Sequence, residues 1–223
     1  MFMTMGHRGA SGLAPENTLS SIFAAIERDV HLIELDVQMC RTGELILHHD
    51  LTVDRMTNGR GMVRNLSFDD LKRLKVRSDS VLSLSEALRV VKGPVALDIK
   101  SHGTGTALAE FLVKQGHVHD QMYVSSRMKN ELLAVRKVCP SIRLGLVTFG
   151  IDPRGIRWAK QNKVSFISVP DVAICRPYID ACHRHGMKVF AYPFGHRKAM
   201  KTEKLQKLGV DGAFFNYPGK APK

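Results

Sequence analysis

Short apolar runs alternate along the chain with segments whose apolar positions follow the helical period. The runs are FMTMG, LIELDVQM, PVALDIK, MYVSS, IRLGLVTF, SFISVP, KVFAYPF and GAFFN, and helix-like segments such as TLSSIFAAIER and NELLAVRKV separate them. Strands that alternate with helices of about 10 to 15 residues are typical of parallel βαβ units. Eight such strands predict a closed (β/α)8 barrel, an α/β fold, and no linker divides residues 1–223 into two domains.

One segment interrupts this alternation after the second predicted strand. The chain continues through the strand-like ELILHH and a stretch rich in Asn, Gly, Arg and Asp until SLSE, a capping-box pattern at Ser83 to Glu86. We therefore predict a small insertion at about residues 44–82. Few residues follow the last strand, so we expect no eighth outer helix there, and either a homodimer or an exposed apolar strip beside the first and seventh helices.

Carboxylates fall on the face of two predicted strands that lies opposite the apolar side chains. Successive side chains of a strand alternate in direction, so Glu34 and Asp36 share one face of LIELDVQM, and Asp98 and Lys100 share one face of PVALDIK. Three carboxylates at the ends of adjacent strands predict a site for a hard divalent cation, Mg²⁺ or Ca²⁺. The alternative is an internal salt-bridge network that joins these acids to Lys100 and Arg8.

Two histidines end strand-like runs and can reach the same mouth of the barrel. His7 follows FMTMG and His49 ends ELILHH, whereas the neighbouring His48 points to the opposite face of its strand. Histidine is the usual proton carrier near neutral pH, so His7 and His49 are candidates for a general acid and a general base.

The stretch GHRGASGLAPENT brings His7 and Arg8 to the end of the first strand, where active sites of barrels lie. Its Gly and Pro residues allow the backbone to turn over the mouth. We expect the first helix to begin near Asn17, with Glu16 and Asn17 fixing the loop and capping the helix.

Composition and charge narrow the class of protein. The chain is 44% apolar and 24% charged, and no apolar run approaches the roughly 18 residues that span a bilayer. The opening lacks the features of a secretory signal, and the four cysteines have no CxxC spacing, so we expect a cytoplasmic protein with reduced thiols. The formal net charge is +12, with 14 Lys and Arg against 5 Asp and Glu from residue 151 onward.

Part of this charge lies on the predicted helix RKAMKTEKLQKLG, which carries Lys198, Lys201, Lys204 and Lys207. We interpret it as a solvated helix face and expect no nucleic-acid partner.

Four motifs together resemble the glycerophosphodiester phosphodiesterase family. They are GHRGASGLAPENT, ELDV, HHDLTVDRMTNGRG and GVDGAFFNYP, and the similarity runs from residue 6 to about residue 218. It implies the same barrel, the same insertion, one bound divalent cation, and a small glycerophosphodiester substrate hydrolysed to glycerol 3-phosphate and an alcohol. By position it implies His7 and His49 as the acid/base pair, Arg8 and Lys100 as phosphate-binding cations, and Glu34, Asp36 and Asp98 as metal ligands.

The chain departs from the family pattern at a few positions. Asp98 stands where the family usually has Glu, Tyr192 where it commonly has Trp, Asn216 where it has Asp, and Arg127 where it has an aromatic residue. The last three positions usually shape the substrate pocket, so we expect them to affect the headgroup preference and not to touch the two histidines.

Two other functions stay open from the sequence. A lysophospholipase D-type enzyme would use the same histidines on a lipid and would expose an apolar rim, which the 7% aromatic content does not make evident. A non-catalytic anion-binding protein would account for the positive charge but gives no role to two histidines among three acids.

Overall fold

Eight parallel strands close on themselves in the computed structural model, which describes residues 1–194 and 201–219. The strands are β1 (Met3–Gly6), β2 (Leu32–Met39), β3 (Leu45–Leu47), β4 (Lys75–Val76), β5 (Asp79–Ser80), β6 (Val95–Ile99), β7 (Met122–Ser126), β8 (Arg143–Val147), β9 (Phe166–Pro170), β10 (Lys188–Tyr192) and β11 (Gly212–Phe215). The barrel consists of β1, β2 and β6 to β11, and β1 closes it by pairing with both β2 and β11. The predicted (β/α)8 fold is thus confirmed.

The helices lie between these strands in the chain, as the helical segments of the sequence predict. They are α1 (Leu19–Glu27), α2 (Phe68–Arg73), α3 (Leu84–Val90), α4 (Thr104–Lys114), α5 (Lys129–Val138), α6 (Pro153–Gln161), α7 (Arg176–His183) and α8 (Thr202–Leu208). The predicted capping box is present at α3, where Ser83 and Glu86 bond each other's backbone N–H groups. Lys198 of the predicted lysine-rich helix lies outside the described residues.

Side-chain alternation sorts the strands into an apolar outer face and a mixed inner face. Ile33, Leu35 and Val37 belong to the large core between barrel and helices, whereas Leu32 packs inside the barrel. Strand register places Asp36 beside Asp98 on the inner face. Below these polar residues the barrel is filled by Phe166, Phe190 and Phe214, whose rings contact one another in turn. The acids therefore lie near the C-terminal mouth, directly above an apolar layer inside the barrel.

The insertion after β2 folds onto the barrel with an apolar core of its own. β3 pairs antiparallel with the end of β2, and the segment then carries a 3₁₀ turn, α2 and the hairpin of β4 and β5. Buried side chains hold it together: Cys40, Ile46, Val53, Val63, Leu71, Val76 and Val81. This separate core fixes the path of the chain on both sides of His49.

The start of α1 differs from the prediction. Thr18 is the N-cap, because its side chain accepts a hydrogen bond from Ser21 N, and it completes a capping box with Ser21. Asn17 lies one residue earlier in the left-handed region, at φ 58°, and its side chain bonds Asp36 instead of the helix. The expected capping role of Asn17 is therefore wrong.

One face of α1 is apolar and open to solvent. Leu19, Phe23 and Ile26, spaced by about one turn, are exposed. These residues are an exposed apolar strip on the first helix itself; the expected strip beside the first and seventh helices and the alternative homodimer both stay predictions. Among the described residues, no helix combines the length and apolar character needed to cross a membrane.

Candidate active site

A cavity of about 260 Å³ opens at the C-terminal mouth of the barrel and collects the residues that the sequence singles out. His7, Arg8, Glu34, His49, Asp98 and Lys100 line it. Asp36, the seventh candidate, lies fully buried beneath them. His48 points away, as expected, and its ring Nε2 lies 2.9 Å from the carbonyl oxygen of Thr52.

The three acids form one compact cluster. One carboxylate oxygen each from Glu34, Asp36 and Asp98 can be chosen so that all three lie within 4.8 Å of one another. Lys100 Nζ contacts two of these acids: it lies 2.9 Å from Asp36 Oδ1 and also donates to Asp98. Ser125 Oγ donates to the other oxygen of Asp98 at 2.9 Å. Both carboxylate oxygens of Asp98 are thus already engaged by donors.

Charges in this cluster shift the pKa values of its members in opposite directions. Burial by itself would raise the pKa of Asp36, but Lys100 and Arg8 outweigh it and hold that pKa far below its usual range. Burial together with the Asp36 charge raises the pKa of Glu34 well above its usual value. Burial opposes the charge on Lys100, yet Asp36 and Asp98 raise its pKa.

Glu34 is the acid of the cluster that Lys100 and Arg8 compensate least, because burial and the Asp36 charge outweigh them and raise its pKa. A divalent cation among the three carboxylates would remove this deficit, and the all-oxygen donor set suits Mg²⁺ or Ca²⁺. The residues present therefore fit the implied metal. The salt-bridge network considered as an alternative is also present, since Arg8 Nε lies 3.4 Å from Asp36 Oδ2 and Lys100 joins Asp36 to Asp98.

Arg8 is held in an unfavourable backbone conformation by four contacts. Its φ of 54° lies in the left-handed region, which non-glycine residues rarely adopt. Its N–H donates to Glu34 Oε2 at 2.8 Å, and its guanidinium contacts Asp36 and both carboxylate oxygens of Glu16. The guanidinium is consequently fixed at the cavity wall, and Glu16 fixes the loop as expected.

His49 is oriented by the residue that follows it. Its Nδ1 lies 2.6 Å from Asp50 Oδ1, so Nδ1–H donates to this carboxylate and Nε2 is left for a ligand. Arg55 holds Asp50 in turn, with Nε 2.5 Å from Asp50 Oδ2, and its Nη2 donates to Glu16 Oε1 at 2.6 Å. A chain of charges thus runs from Arg8 through Glu16, Arg55 and Asp50 to His49.

His7 is oriented by a neutral partner from the other end of the chain. Its Nδ1 lies 2.6 Å from Asn216 Oδ1, which also accepts a hydrogen bond from Ser11 Oγ at 3.0 Å. The expectation that Asn216 does not touch the histidines is therefore wrong. Since β1 and β11 are neighbours in the barrel, the residues that follow these strands meet at the mouth.

Both imidazoles favour their neutral form. Burial and the adjacent Arg8 charge lower the pKa of His7 to about 4. Burial also lowers the pKa of His49, although Asp36 and the bonded Asp50 act in the opposite direction. The two rings differ chiefly in their Nδ1 partners, an amide for His7 and a carboxylate for His49.

The sequence did not reveal the residues that hold the candidate site residues in place by hydrogen bonds. These are Asn17, Asp50, Arg55, Ser125 and Asn216. Asn17 bonds Asp36 twice, through its amide NH₂ to Oδ2 at 2.8 Å and through its oxygen to the backbone N–H at 3.0 Å. Asp50 and Arg55 stand in HHDLTVDR, so their closeness to His49 in the chain was an available signal. Ser125 gave none, because nothing local distinguishes it from other serines.

Comparison with known proteins identifies the family. Residues 7–220 match the glycerophosphoryl diester phosphodiesterase family. The chain is 28% identical to the glycerophosphodiester phosphodiesterase of Caldanaerobacter subterraneus subsp. tengcongensis, over 97% of this chain and 94% of that protein. It is also 28% identical to the enzyme of the same name from Bacillus subtilis, over 97% of this chain and 84% of that protein.

Solved structures share the fold at lower identity. A phosphodiesterase of Oleispira antarctica in complex with the product sn-glycerol-3-phosphate has a TM-score of 0.88 at 23% identity, with 97% of this chain and 93% of that chain covered. Glycerophosphodiester phosphodiesterase from Agrobacterium tumefaciens has a TM-score of 0.81 at 22% identity, with 97% of each chain covered.

Proposed function

Because the chain belongs to the glycerophosphoryl diester phosphodiesterase family, we propose that it hydrolyses glycerophosphodiesters to sn-glycerol 3-phosphate and an alcohol, with His7 and His49 as proton carriers. The observation that carries this proposal is the meeting of both imidazoles, each held at Nδ1, with Arg8 and Lys100 around one cavity. The product bound to the related Oleispira antarctica enzyme supports the same product here.

Arg8 and Lys100 bind and orient the phosphate. Both side chains are held rigidly by acids, so they neutralise charge that develops on the phosphoryl oxygens without having to reorganise. A divalent cation held by Glu34, Asp36 and Asp98 would add Lewis-acid charge neutralisation at the phosphate. In this proposal the three acids would bind the metal, and Arg8 and Lys100 bind the phosphate of the substrate.

The Nδ1 partners suggest how the proton work is divided. The amide partner of His7 carries no charge that would stabilise an imidazolium, so the ring is neutral, with its proton on Nδ1. His7 therefore accepts the proton of the attacking hydroxyl at Nε2. At His49 the charges of Asp36 and the bonded Asp50 oppose the effect of burial on the pKa, so of the two rings His49 is the one that takes up a proton at Nε2 and donates it to the leaving alkoxide oxygen. The attacking hydroxyl belongs to water or to the glycerol of the substrate.

The proton assignment is tested with two leaving groups. His49→Ala should lower kcat on an alkyl glycerophosphodiester by at least about 10²-fold, and much less on glycerophospho-p-nitrophenol, whose leaving group departs without a proton. His7→Ala should be impaired on both substrates, and His48→Gln is the matched control. Equal losses of His49→Ala on both substrates would contradict its role as the acid.

The overall activity is tested with purified protein on glycerophosphocholine, glycerophosphoethanolamine and lysophosphatidylcholine. Release of glycerol 3-phosphate from the first two should stop with EDTA and return with Mg²⁺ or Ca²⁺. Turnover that is insensitive to EDTA would contradict the role of the metal. Phosphate binding without any turnover would favour the non-catalytic anion-binding protein.

A second candidate function, hydrolysis of lysophospholipids, is favoured by one observation. Seven large apolar side chains are exposed on loops that follow the barrel strands or β3: Leu13, Leu51, Phe149, Ile151, Val172, Phe194 and Tyr217. Such a rim suits an acyl chain. Val172→Ser should then lower turnover of lysophosphatidylcholine but not of glycerophosphocholine, with Leu133→Ser on α5 as the control. Equal effects of both variants would exclude a role for the rim.

A further inference from the structure

A second cavity lies directly beside the catalytic one and is basic along their shared wall. It has a volume of about 600 Å³ and shares Arg127, Val147 and Phe149 with the catalytic cavity. A substrate whose phosphate lies between the two histidines therefore has room to extend one of its two ester groups past Arg127 into this second space.

Arg127 lies against Phe149 and Tyr192 and carries a charge that no acid of the described residues pairs with. Its guanidinium carbon lies 4.0 Å from the centroid of the Phe149 ring, a stacked cation–π contact. Its charge also acts on Tyr192, lowering a hydroxyl pKa that burial raises. Among the residues that the structure describes, no carboxylate lies within ion-pair distance of Arg127, although Arg8 and Lys100 of the same cavity are both paired with acids.

The two walls also carry one further basic residue, one acid of the second cavity and, within the described part of the chain, one unpaired hydroxyl near Arg127. Lys129 lines the second cavity and adds positive charge. The acid of that wall is Asp152, whose carboxylate packs against Gly155 near the start of α6. In the catalytic cavity, Ser168 Oγ is buried and has no hydrogen-bond partner within residues 1–194 and 201–219, so it can donate to a ligand.

The Phe149 ring is correspondingly unsuited to a cationic headgroup. Aromatic faces bind quaternary ammonium groups through the same cation–π attraction. Here the guanidinium of Arg127 already covers a face of that ring, so a trimethylammonium group would approach a like charge.

We propose that Arg127 forms the anion-binding part of a headgroup subsite, and that the preferred substrates carry a carboxylate or phosphate on the alcohol side of the scissile bond. This inference rests on the proposed function and names the substrate class of the same site. Arg127 is a specificity residue: its planar N–H groups match the two oxygens of a carboxylate or phosphate.

The test compares two substrates that differ by one carboxylate, glycerophosphoserine and glycerophosphoethanolamine. The measured quantity is the ratio of their kcat/KM values, from release of glycerol 3-phosphate. Arg127→Met should lower the ratio of the serine to the ethanolamine compound about fivefold, the effect of one charge pair at a partly exposed site. Arg127→Lys should fall between wild type and Arg127→Met.

Arg154→Met is the matched control, because Arg154 is exposed in α6 near the same mouth but lines neither cavity. It removes the same charge and should leave the ratio at the wild-type value. A ratio that is the same in Arg127→Met as in wild type, or that falls equally in Arg154→Met, would overturn the inference.

Binding of the same two compounds to the metal-free protein, measured by calorimetry, tests the subsite without turnover. The dissociation constants should show the same Arg127-dependent preference for the serine compound. If wild type and Arg127→Met bind the two compounds with the same relative affinity, the subsite is overturned even where turnover is normal. Absence of turnover with the binding preference intact overturns the proposed function and leaves the subsite supported.

Discussion

Nδ1 of His49 lies 2.6 Å from Oδ1 of Asp50, the next residue in the chain, and this bond fixes the imidazole tautomer at the cavity. Neighbours in an extended strand point in opposite directions, so they cannot meet in this way. They meet here because the chain leaves β3 at Leu47 and turns, and because Arg55 pulls the Asp50 carboxylate toward Glu16.

Removing the charge on Asp50 should impair His49 without removing it. Asp50→Asn should lower kcat about 10- to 100-fold, the usual effect of losing an orienting partner, because the imidazolium loses its counter-charge. KM for the same substrate should change little. Arg55→Met should show a smaller loss of the same kind, and exposed Arg60→Met should show none. An increase in KM with an unchanged kcat would argue against a role of Asp50 in orienting the ring.

The partner of His7 should set its protonation. Asn216→Asp would place a carboxylate at Nδ1, which stabilises the imidazolium and raises the pKa of His7 above its present value of about 4 by at least about 1 pH unit. The acid limb of the kcat/KM profile should move toward neutral pH. NMR titration of the His7 ring checks this directly, and an unchanged pKa would refute it.

Asp98 should be the weakest of the three proposed metal ligands. The family usually has the longer Glu at this position, so the Asp98 carboxylate reaches one methylene less far toward a shared ion. Donors engage both of its oxygens, as they do those of Asp36, so the length of the side chain is what distinguishes it. Asp98→Asn should therefore weaken metal dependence less than Asp36→Asn, since an indirect ligand contributes mainly charge. Activity titrated with Mg²⁺ measures this, and a greater metal requirement in Asp98→Asn would show that Asp98 binds the ion directly.

The metal-free protein should lose stability in mild acid through His7. The folded-state pKa of about 4 lies below the unfolded value of about 6.5, so between them the unfolded state binds more protons. The contribution of His7 is present above about pH 6.5 and is lost as the pH falls toward about 4, by roughly 1 to 2 kcal/mol for a half-buried ring. Urea unfolding at several pH values should show a flatter profile for His7→Gln, and exposed His185→Gln should follow wild type.

The apolar face of α1 should form the contact of a homodimer. Phe23→Glu would place a charge in the middle of the strip formed with Leu19 and Ile26 and should convert a dimer to a monomer. Light scattering of both proteins decides this. A wild-type protein that is already monomeric would exclude the dimer.

The sequence predicted most of the fold, because strand alternation and helix capping depend on residues that are close together in the chain. The inward direction of Glu34, Asp36 and Asp98 followed from strand alternation, and the capping box of α3 followed from four consecutive residues. The contacts that the sequence left out depend on loop paths: Asn17 turning back to Asp36, Arg55 reaching Glu16, and Asn216 reaching His7. No periodicity within a segment encodes such distances.

The contact between His7 and Asn216 joins positions 209 residues apart, so it cannot form before Asn216 has been synthesised. A ribosome that has made the first two hundred residues has already produced His7 and His49, the three clustered acids, and the two proposed phosphate-binding residues Arg8 and Lys100. It has made neither the strand that closes the barrel beside β1 nor the amide that orients His7. A nascent chain therefore carries these side chains before the barrel can close beside β1, and the hydrogen bond that orients His7 requires synthesis through Asn216.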